Sequence, residues 1–232
     1  MAEFAGIVSV RREPVPVLKP HRRSAPISSE SASFRVISGG QTGVDRAALD
    51  AAMVAGIPVG GWCPRGRRSE DGVIPPHYPL QETPAYSYVV RTEWNIRDSD
   101  GTLVVVLNDI SSGTRMTIDA AQTLKKPLQI VHLLPDPHPG LLTAENSPAD
   151  DLQTVVSWIR QHKIRVLNVA GPRGSSSPQT YSLALTFLMQ LMNCLKTEMQ
   201  TAVSPEDSRD KSGGQRSGSE GARKKRRQKS TK

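Results

Sequence analysis

The chain has 232 residues, of which 37% are hydrophobic, enough apolar material for one ordinary globular core. No segment approaches the roughly 18 consecutive apolar residues that a membrane-spanning helix needs, and the first residues lack the apolar run of a secretory signal, so we expect a soluble, cytoplasmic protein. The two cysteines, Cys63 and Cys194, are too few for a disulfide framework or a cysteine-based zinc site.

The formal net charge of +8 is carried by the two ends of the chain. Residues 34–199 hold fifteen basic and fifteen acidic side chains, whereas residues 1–33 contribute +2 and residues 200–232 contribute +6. Because these ends also lack apolar periodicity, the sequence predicts disordered tails over 1–33 and 200–232 around a single domain over 34–199. The basic run from Arg223 to Lys229 is typical of a nuclear-import signal, of an arm that attracts nucleic acid, or of a solubilising tail.

Short apolar runs alternate with segments of helical periodicity between the tails. The apolar runs predict β-strands at Phe34–Ser38, Ile57–Val59, Tyr86–Val90, Thr102–Leu107, Leu128–Leu133 and Val166–Ala170. Several of these runs are apolar at every position, most clearly Leu103 to Leu107, as in strands that are covered by helices on both faces. This pattern favours a mainly parallel sheet.

Two of the intervening helices have readable starts. Ser147 and Pro148 precede two acidic residues, which predicts an N-cap and a first helical turn. Ser177 and Pro178 precede a second helix, whose apolar face is predicted to comprise Tyr181, Leu185, Leu188, Met192 and Leu195. The alternation of strands and helices predicts an α/β fold that is Rossmann-like and doubly wound.

The loops that follow three of the predicted strands are rich in glycine and hydroxyl residues. They span residues 38–45, 108–114 and 171–177. In doubly wound folds, ligands bind beyond the carboxyl ends of the strands, where glycines permit close approach and helix N-termini attract anions. Together the loops predict a phosphate-binding site.

Other familiar signatures are missing from the sequence. No lysine follows a Gly-x-x-x-x-Gly frame, and the spacing of Gly39, Gly40 and Gly43 does not fit the dinucleotide fingerprint. The five histidines are scattered without metal-ligand spacing. The sequence therefore argues against a P-loop kinase, a dinucleotide enzyme and a metal centre, and it predicts no catalytic residue.

Several sequence blocks, taken together and in order, carry a family resemblance. They are Gly39 to Asp50, Gly60 to Pro64 with Glu70 to Gly72, Arg91 to Thr102, Gly113-Thr114 with Thr117, and Leu167 to Arg173. These blocks resemble the molybdenum-cofactor carrier proteins, also described as circularly permuted YpsA proteins, and the resemblance runs from about Phe34 to Leu195. It implies a Rossmann-like fold related to the Lonely Guy nucleotide enzymes, binding of molybdopterin through its phosphate, molybdoenzymes as acceptors, and a homo-oligomer.

The resemblance also assigns residues to the predicted site. Those carried over by position, with the loop hydroxyl of Ser175, are Gly40, Gln41, Thr42, Gly43, Gly113, Thr114, Thr117, Gly171, Arg173 and Ser175. Two neighbouring positions depart from the family pattern. Ser112 stands where the family often has glycine, and Gly174 stands where it often has an acidic residue.

Two alternatives stay open. Lonely Guy hydrolases carry a glutamate where this chain has Thr117, and an ordinary hydroxyl is no substitute for that base, but Asp45, Glu93, Asp98 and Asp100 remain possible acids for a nucleotide-binding or nucleotide-hydrolysing enzyme. The other alternative is a nucleic-acid-associated protein that acts weakly, and in a salt-sensitive way, through its basic tail.

Cationic and aromatic residues near the loops add further candidates for ligand contact. The arginines that could neutralise a dianion are Arg65, Arg67, Arg68, Arg91 and Arg97. Trp94 is expected either to stack on a flat ring or to anchor the core, and Cys63 is a candidate functional thiol in the same region.

Overall fold

A five-stranded parallel sheet lies at the centre of the computed structural model, which describes residues 33–107, 110–133 and 148–201. In chain order the elements are β1 (Arg35–Ile37), α1 (Val44–Ala55), β2 (Val59–Gly60), β3 (Trp62–Cys63), β4 (Arg68–Ser69), β5 (Gly72–Val73), β6 (Gln81–Glu82), α2 (Tyr88–Arg97), β7 (Gly101–Val106), α3 (Ser112–Thr123), β8 (Leu128–His132), α4 (Pro148–Gln161), β9 (Val166–Ala170) and α5 (Thr180–Thr201). The main sheet has the order β2-β1-β9-β7-β8. The predicted α/β fold is therefore confirmed.

Helices cover both faces of the sheet, as the uninterrupted apolar strand predicted. Every residue of β7 is buried. Leu103 and Val105 belong to the large core that includes residues of α1, α4 and α5, whereas Val104 and Val106 pack with Ile118 of α3. Successive side chains of a strand point to opposite faces, so one apolar run contributes to two cores.

The last helix buries most of the face that the sequence predicted. Leu188 and Met192 are fully buried and Leu195 nearly so, whereas Tyr181 at the start of the helix is 39% exposed. Helix α5 begins at Thr180, after the Ser177-Pro178 pair, and it ends two residues beyond the predicted domain boundary at 199. Helix α4 begins at Pro148 as expected, while Ser147 and most of both predicted tails lie outside the described residues.

No helix in the described part of the chain is long and apolar enough to cross a membrane.

The strand predicted over Tyr86–Val90 is wrong, because this segment starts helix α2. The hydroxyl of Ser87 accepts a hydrogen bond from the Val89 N–H at 3.2 Å and caps the helix. Val89 is 41% exposed, and the buried face of α2 consists of Thr92, Asn95 and Ile96. Tyr86 and Val89, two of the residues that suggested a strand, are therefore exposed, and the capping serine favours the start of a helix here.

Two short ribbons, β3 with β6 and β4 with β5, are formed by the chain between β2 and α2, and this segment contributes most of a small apolar cluster. Cys63 is fully buried in this cluster, and burial raises the pKa of its thiol, as expected of a core residue. The Arg67 guanidinium donates to the backbone carbonyls of residues 74, 75, 78 and 80. Arg67, directly before β4, thus holds the segment 74–80 in place through these hydrogen bonds.

The side chain of Asn95 links α2 to the β3 ribbon through two hydrogen bonds, and we expect these bonds to stabilise the fold. Its amide oxygen accepts from the Trp62 N–H at 2.8 Å, and its amide nitrogen donates to the Trp62 carbonyl at 2.9 Å. We expect Asn95→Leu to lower the free energy of unfolding by about 2–4 kcal/mol, because it leaves both backbone groups unpaired.

Urea denaturation measures this change, with Val89→Leu on the exposed side of the same helix as the control. The control is expected to change the free energy of unfolding by no more than about 0.5 kcal/mol. Equal stability of the two variants would contradict the role of Asn95.

Candidate functional site

A pocket of about 270 Å³ lies at the carboxyl ends of three neighbouring strands. The chain passes from β1 to β2 on one side of the sheet and from β7 to β8 on the other, and β9 is inserted between β1 and β7. The loops after β1, β7 and β9 all contribute to the lining of this pocket, which we call the anion pocket. It lies where the strand order reverses, the usual position of ligands in open α/β sheets.

The N-terminus of helix α3 faces the anion pocket. Ser111 caps the helix, since its hydroxyl accepts from the Thr114 N–H at 3.2 Å and lies 3.0 Å from the Thr114 hydroxyl. The first N–H groups of a helix have no intrahelical partners, and the helix dipole makes this end attractive to anions. A Cβ atom added at Gly113 would meet nothing within 4 Å, so the first turn borders open space.

A buried ion pair forms one side of the anion pocket. The Arg91 guanidinium lies 3.2 Å from the Asp45 carboxylate, and the two side chains are 14% and 3% exposed. Burial raises the pKa of Asp45 above its ordinary value, an effect that the Arg91 charge opposes. A Cβ at Gly39 would lie 1.8 Å from Arg91 Nη1, so the pair needs glycine at that position.

Arg91 keeps one donor unused. Its Nε atom is buried and has no hydrogen-bond partner among the described residues. Arg91 lines the anion pocket together with Arg173. A buried donor without a partner is costly to a folded protein, which marks this guanidinium as a candidate for ligand contact.

Glu70 connects the loops after β1 and β9 from outside the pocket. Its carboxylate accepts from the Thr42 hydroxyl, from the Ser175 N–H at 3.0 Å and from the Ser175 hydroxyl at 2.6 Å, and it lies 3.4 Å from Arg173 Nε. Although desolvation alone would raise the pKa of Glu70, the hydrogen bonds from Ser175 and Thr42 lower it below its ordinary value. Two of the hydroxyls predicted to face a phosphate, those of Thr42 and Ser175, are thus engaged by a carboxylate of the chain itself.

Two glycines let the loops converge. Gly43 has a φ of 78°, and a Cβ there would lie 2.5 Å from the Pro172 carbonyl oxygen. A Cβ at Gly171 would lie 2.4 Å from the Val105 carbonyl oxygen. Both positions bring backbone against backbone, which only glycine permits at these separations.

The structure brings most of the predicted site residues together. Six of them line the anion pocket: Gln41, Gly113, Thr114, Thr117, Gly171 and Arg173. Gly40 faces Leu80 and Ile74 of the small apolar cluster, and Thr42, Gly43 and Ser175 make the contacts between loops described above. Ligand contact by any of these residues stays a prediction.

Sequence reasoning named Arg91 of α2 as a candidate for ligand contact but missed its neighbours Tyr88 and Thr92 in the pocket lining. Tyr88 and Thr92 line the pocket beside Arg91, a spacing of three and four residues that places all three on one helical face. This periodicity was readable in the sequence, but the strand expected over Tyr86–Val90 obscured it. The contribution of Glu70 had no such local signal.

The other candidate acids lie away from the anion pocket. Asp98 accepts from the Trp62 indole N–H at 2.8 Å, and Asp100 accepts from two backbone N–H groups at the start of β9, at the opposite end of the sheet. Glu93 lines a separate groove between α2 and α3. In the described part of the chain, no group of three or more His, Cys, Asp or Glu side chains is arranged to hold a metal ion.

Comparison with known proteins agrees with this architecture. The family model of the circularly permuted YpsA SLOG family matches residues 36–192. A crystal structure of a candidate molybdenum carrier protein from Syntrophus aciditrophicus is 40% identical, with a TM-score of 0.62, and the match covers 69% of this chain and 95% of that one. No curated protein matches the sequence. The family resemblance drawn from the sequence is confirmed.

The Glu70 contacts predict a pH-dependent contribution to stability. Because the pKa of Glu70 is lowered in the folded state, its stabilising effect is present above the ordinary value of 4.5 and is lost as the pH falls through the folded-state pKa. We expect Glu70→Gln to lower the melting temperature at pH 7, and the gap to wild type to shrink below about pH 4.5.

Thermal melts between pH 3 and pH 7 measure this gap. Glu93→Gln is the control, because Glu93 is exposed and its carboxylate forms no ion pair among the described residues. A difference between wild type and Glu70→Gln that stays constant with pH would contradict the assigned role of the carboxylate.

Proposed function

We propose that this chain, which belongs to the circularly permuted YpsA SLOG family, binds and carries a phosphate-bearing small molecule, and that molybdenum cofactor (molybdopterin) is its ligand. The observation that carries the proposal is the convergence of the α3 N-terminus and two arginines, Arg91 and Arg173, on one pocket. The similarity to a candidate molybdenum carrier supports the identity of the ligand.

The residues of the anion pocket fit a terminal phosphate. Donors and positive charge come from the N–H groups of Ser112 and Gly113 at the start of α3 and from the guanidinium groups of Arg91 and Arg173. Asp45 neutralises part of the Arg91 charge, so the pocket is only moderately positive. This partial neutralisation suits a carrier, which must release its cargo as well as bind it.

The geometry favours a carrier over a hydrolase of the Lonely Guy type. Thr117 stands where the hydrolases have a glutamate, and its hydroxyl donates to the Gly113 carbonyl at 3.2 Å. Among the lining residues of the anion pocket, the acid is Asp45, which is buried and ion-paired with Arg91. A general base needs a free lone pair directed at the reacting group, and the ion pair leaves Asp45 poorly placed for that task.

Carriage implies transfer to an acceptor. We propose that molybdoenzymes receive the cofactor, and that the chain forms the homo-oligomer that the family resemblance implies. The redox chemistry of molybdenum belongs to those acceptors, whereas the residues described above would bind the cargo and shield it from solvent. Nucleotide binding remains the alternative if molybdopterin fails to bind.

Gly113 offers the most direct test of the anion pocket. A side chain at this position enters open space, so Gly113→Asp adds a carboxylate beside the helix N-terminus without a steric clash. Two unit charges about 4 Å apart cost roughly 4 kcal/mol at the effective dielectric of a protein surface, which corresponds to a loss of affinity of nearly a thousandfold. Folding should persist, because an acid in the first turn suits the helix dipole.

Gly113→Asn is the matched control, because it adds nearly the same volume without charge. Calorimetric titration with molybdopterin or a stable phosphorylated pterin, together with thermal melts of both variants, gives the readout. We expect Gly113→Asn to retain most of the affinity and Gly113→Asp to lose it. Equal affinities in two folded variants would remove the α3 N-terminus from the binding site.

A further inference from the structure

A second cavity adjoins the anion pocket and lies between helices α2 and α3. Its volume is about 720 Å³, and Ser112 and Met116 line both cavities. The anion pocket alone, at about 270 Å³, falls below the roughly 300–1,000 Å³ typical of small-molecule sites. A ligand with a phosphate in the anion pocket must therefore extend beyond it, and this second cavity, the α2–α3 groove, is the adjoining space.

Helices α2 and α3 both run away from the anion pocket, and so does the groove between them. Helix α2 leads into β7 and α3 follows it, so both helices begin near the carboxyl edge of the sheet, where the anion pocket lies. Asp119 lies about 9 Å further along α3 than Gly113, at a rise of 1.5 Å per residue. A ligand that contacts both residues would therefore span about 9 Å between its phosphate and its far end.

The groove contains an aromatic side chain that is held in place. The Trp94 ring makes an edge contact with the Trp62 ring at a centroid distance of 4.7 Å, and the Arg97 guanidinium lies 4.7 Å from the Trp94 centroid. Met116 adds a polarisable thioether to the lining of the same cavity. An indole and a thioether together form a surface suited to a flat heteroaromatic ring.

The rim of the groove carries two acids, Glu93 and Asp119. Neither carboxylate forms an ion pair or a side-chain hydrogen bond within the described residues. A free carboxylate accepts two parallel N–H donors in a bidentate arrangement. The 2-amino-4-oxopyrimidine edge of pterins and of guanine presents such a donor pair, and the corresponding edge of adenine does not.

We infer that the α2–α3 groove binds the fused ring of the ligand, with its 2-amino-4-oxopyrimidine edge on the carboxylate of Asp119. Asp119 is the acceptor because it lies on the same helix as the anion site, one turn beyond Met116, which borders both cavities. The inference rests on the proposed function, since the phosphate in the anion pocket fixes the other end of the ligand. It identifies the ligand class as an anionic pterin or guanine derivative.

Guanosine and adenosine 5′-monophosphates test the inference, because they share a phosphate and differ in the ring edge. With the full chain, we expect the guanine nucleotide to bind at least about 10-fold more tightly, and Asp119→Asn to remove most of that preference, since paired hydrogen bonds to a charged group account for about 10- to 100-fold. The basic residues in 200–232 attract both nucleotides equally, so the affinity ratio is the readout.

Asp151→Asn is the matched control, because it removes the same charge from α4, which packs in the core on the other face of the sheet. We expect this variant to keep the full nucleotide preference. Inorganic phosphate should compete with the guanine nucleotide, and its inhibition constant should be the same for wild type and for Asp119→Asn. Gly113→Asp should weaken the binding of both nucleotides alike.

The other possible outcomes would contradict either the ring assignment or the proposed function. Equal affinities for the two nucleotides in wild type, binding of neither by a protein that binds molybdopterin, or a preference retained by Asp119→Asn would overturn the ring assignment while leaving the anion pocket intact. Insensitivity of nucleotide binding to Gly113→Asp would instead contradict the proposed function. A dimer that Asp119→Asn dissociates without changing the nucleotide preference would assign the groove to a second copy of the chain.

Discussion

The contact between the loops that follow β1 and β9 is the constraint on which the anion pocket depends. Gly43 lets the loop after β1 pack against the Pro172 carbonyl of the loop after β9, and Gly171 lets that second loop start beside the Val105 carbonyl of β7 and the Val44 side chain. Glu70 then fixes the two loops together through Thr42 and Ser175. With these loops held, the N-terminus of α3 completes the pocket from the third strand. The geometry of the pocket is therefore built mainly from the backbone, and side chains adjust its charge.

The charge of the site differs from the charge of the whole protein. Basic residues dominate the ends of the chain, yet residues 34–199 carry equal numbers of acidic and basic side chains. Within that neutral domain, a helix N-terminus and two arginines lie at one pocket, and Asp45 offsets part of their charge. The positive charge at the pocket is therefore a local feature, and the high isoelectric point of the whole chain says little about it.

The sequence predicted features that depend on neighbouring residues and missed those that depend on distant ones. The buried run of β7 and the apolar face of α5 follow from periodicity, and the glycine loops follow from their position after strands. Helix α2 was mistaken for a strand because Tyr88, Val89 and Val90 have high β-propensity, while the cap at Ser87 is a single-residue signal. Glu70 was missed because its partners Thr42 and Ser175 lie 28 and 105 residues away along the chain. The same contact bears on Gly174, which stands where the family often has an acidic residue. A side chain at this position would begin 3.6 Å from the Glu70 carboxylate.

The position of β9 between β1 and β7 also determines when the pocket can exist during synthesis. The ribosome releases β1 and β7 well before β9, so a nascent chain has two of the three loops but lacks the strand that sets their spacing. Until residues 166–170 emerge, the edges of β1 and β7 that pair with β9 lack their partner, and unpaired edges of parallel sheets are prone to misassociation. A ligand that binds all three loops can therefore bind only a chain whose last strand has been inserted, and its binding energy then favours the completed sheet.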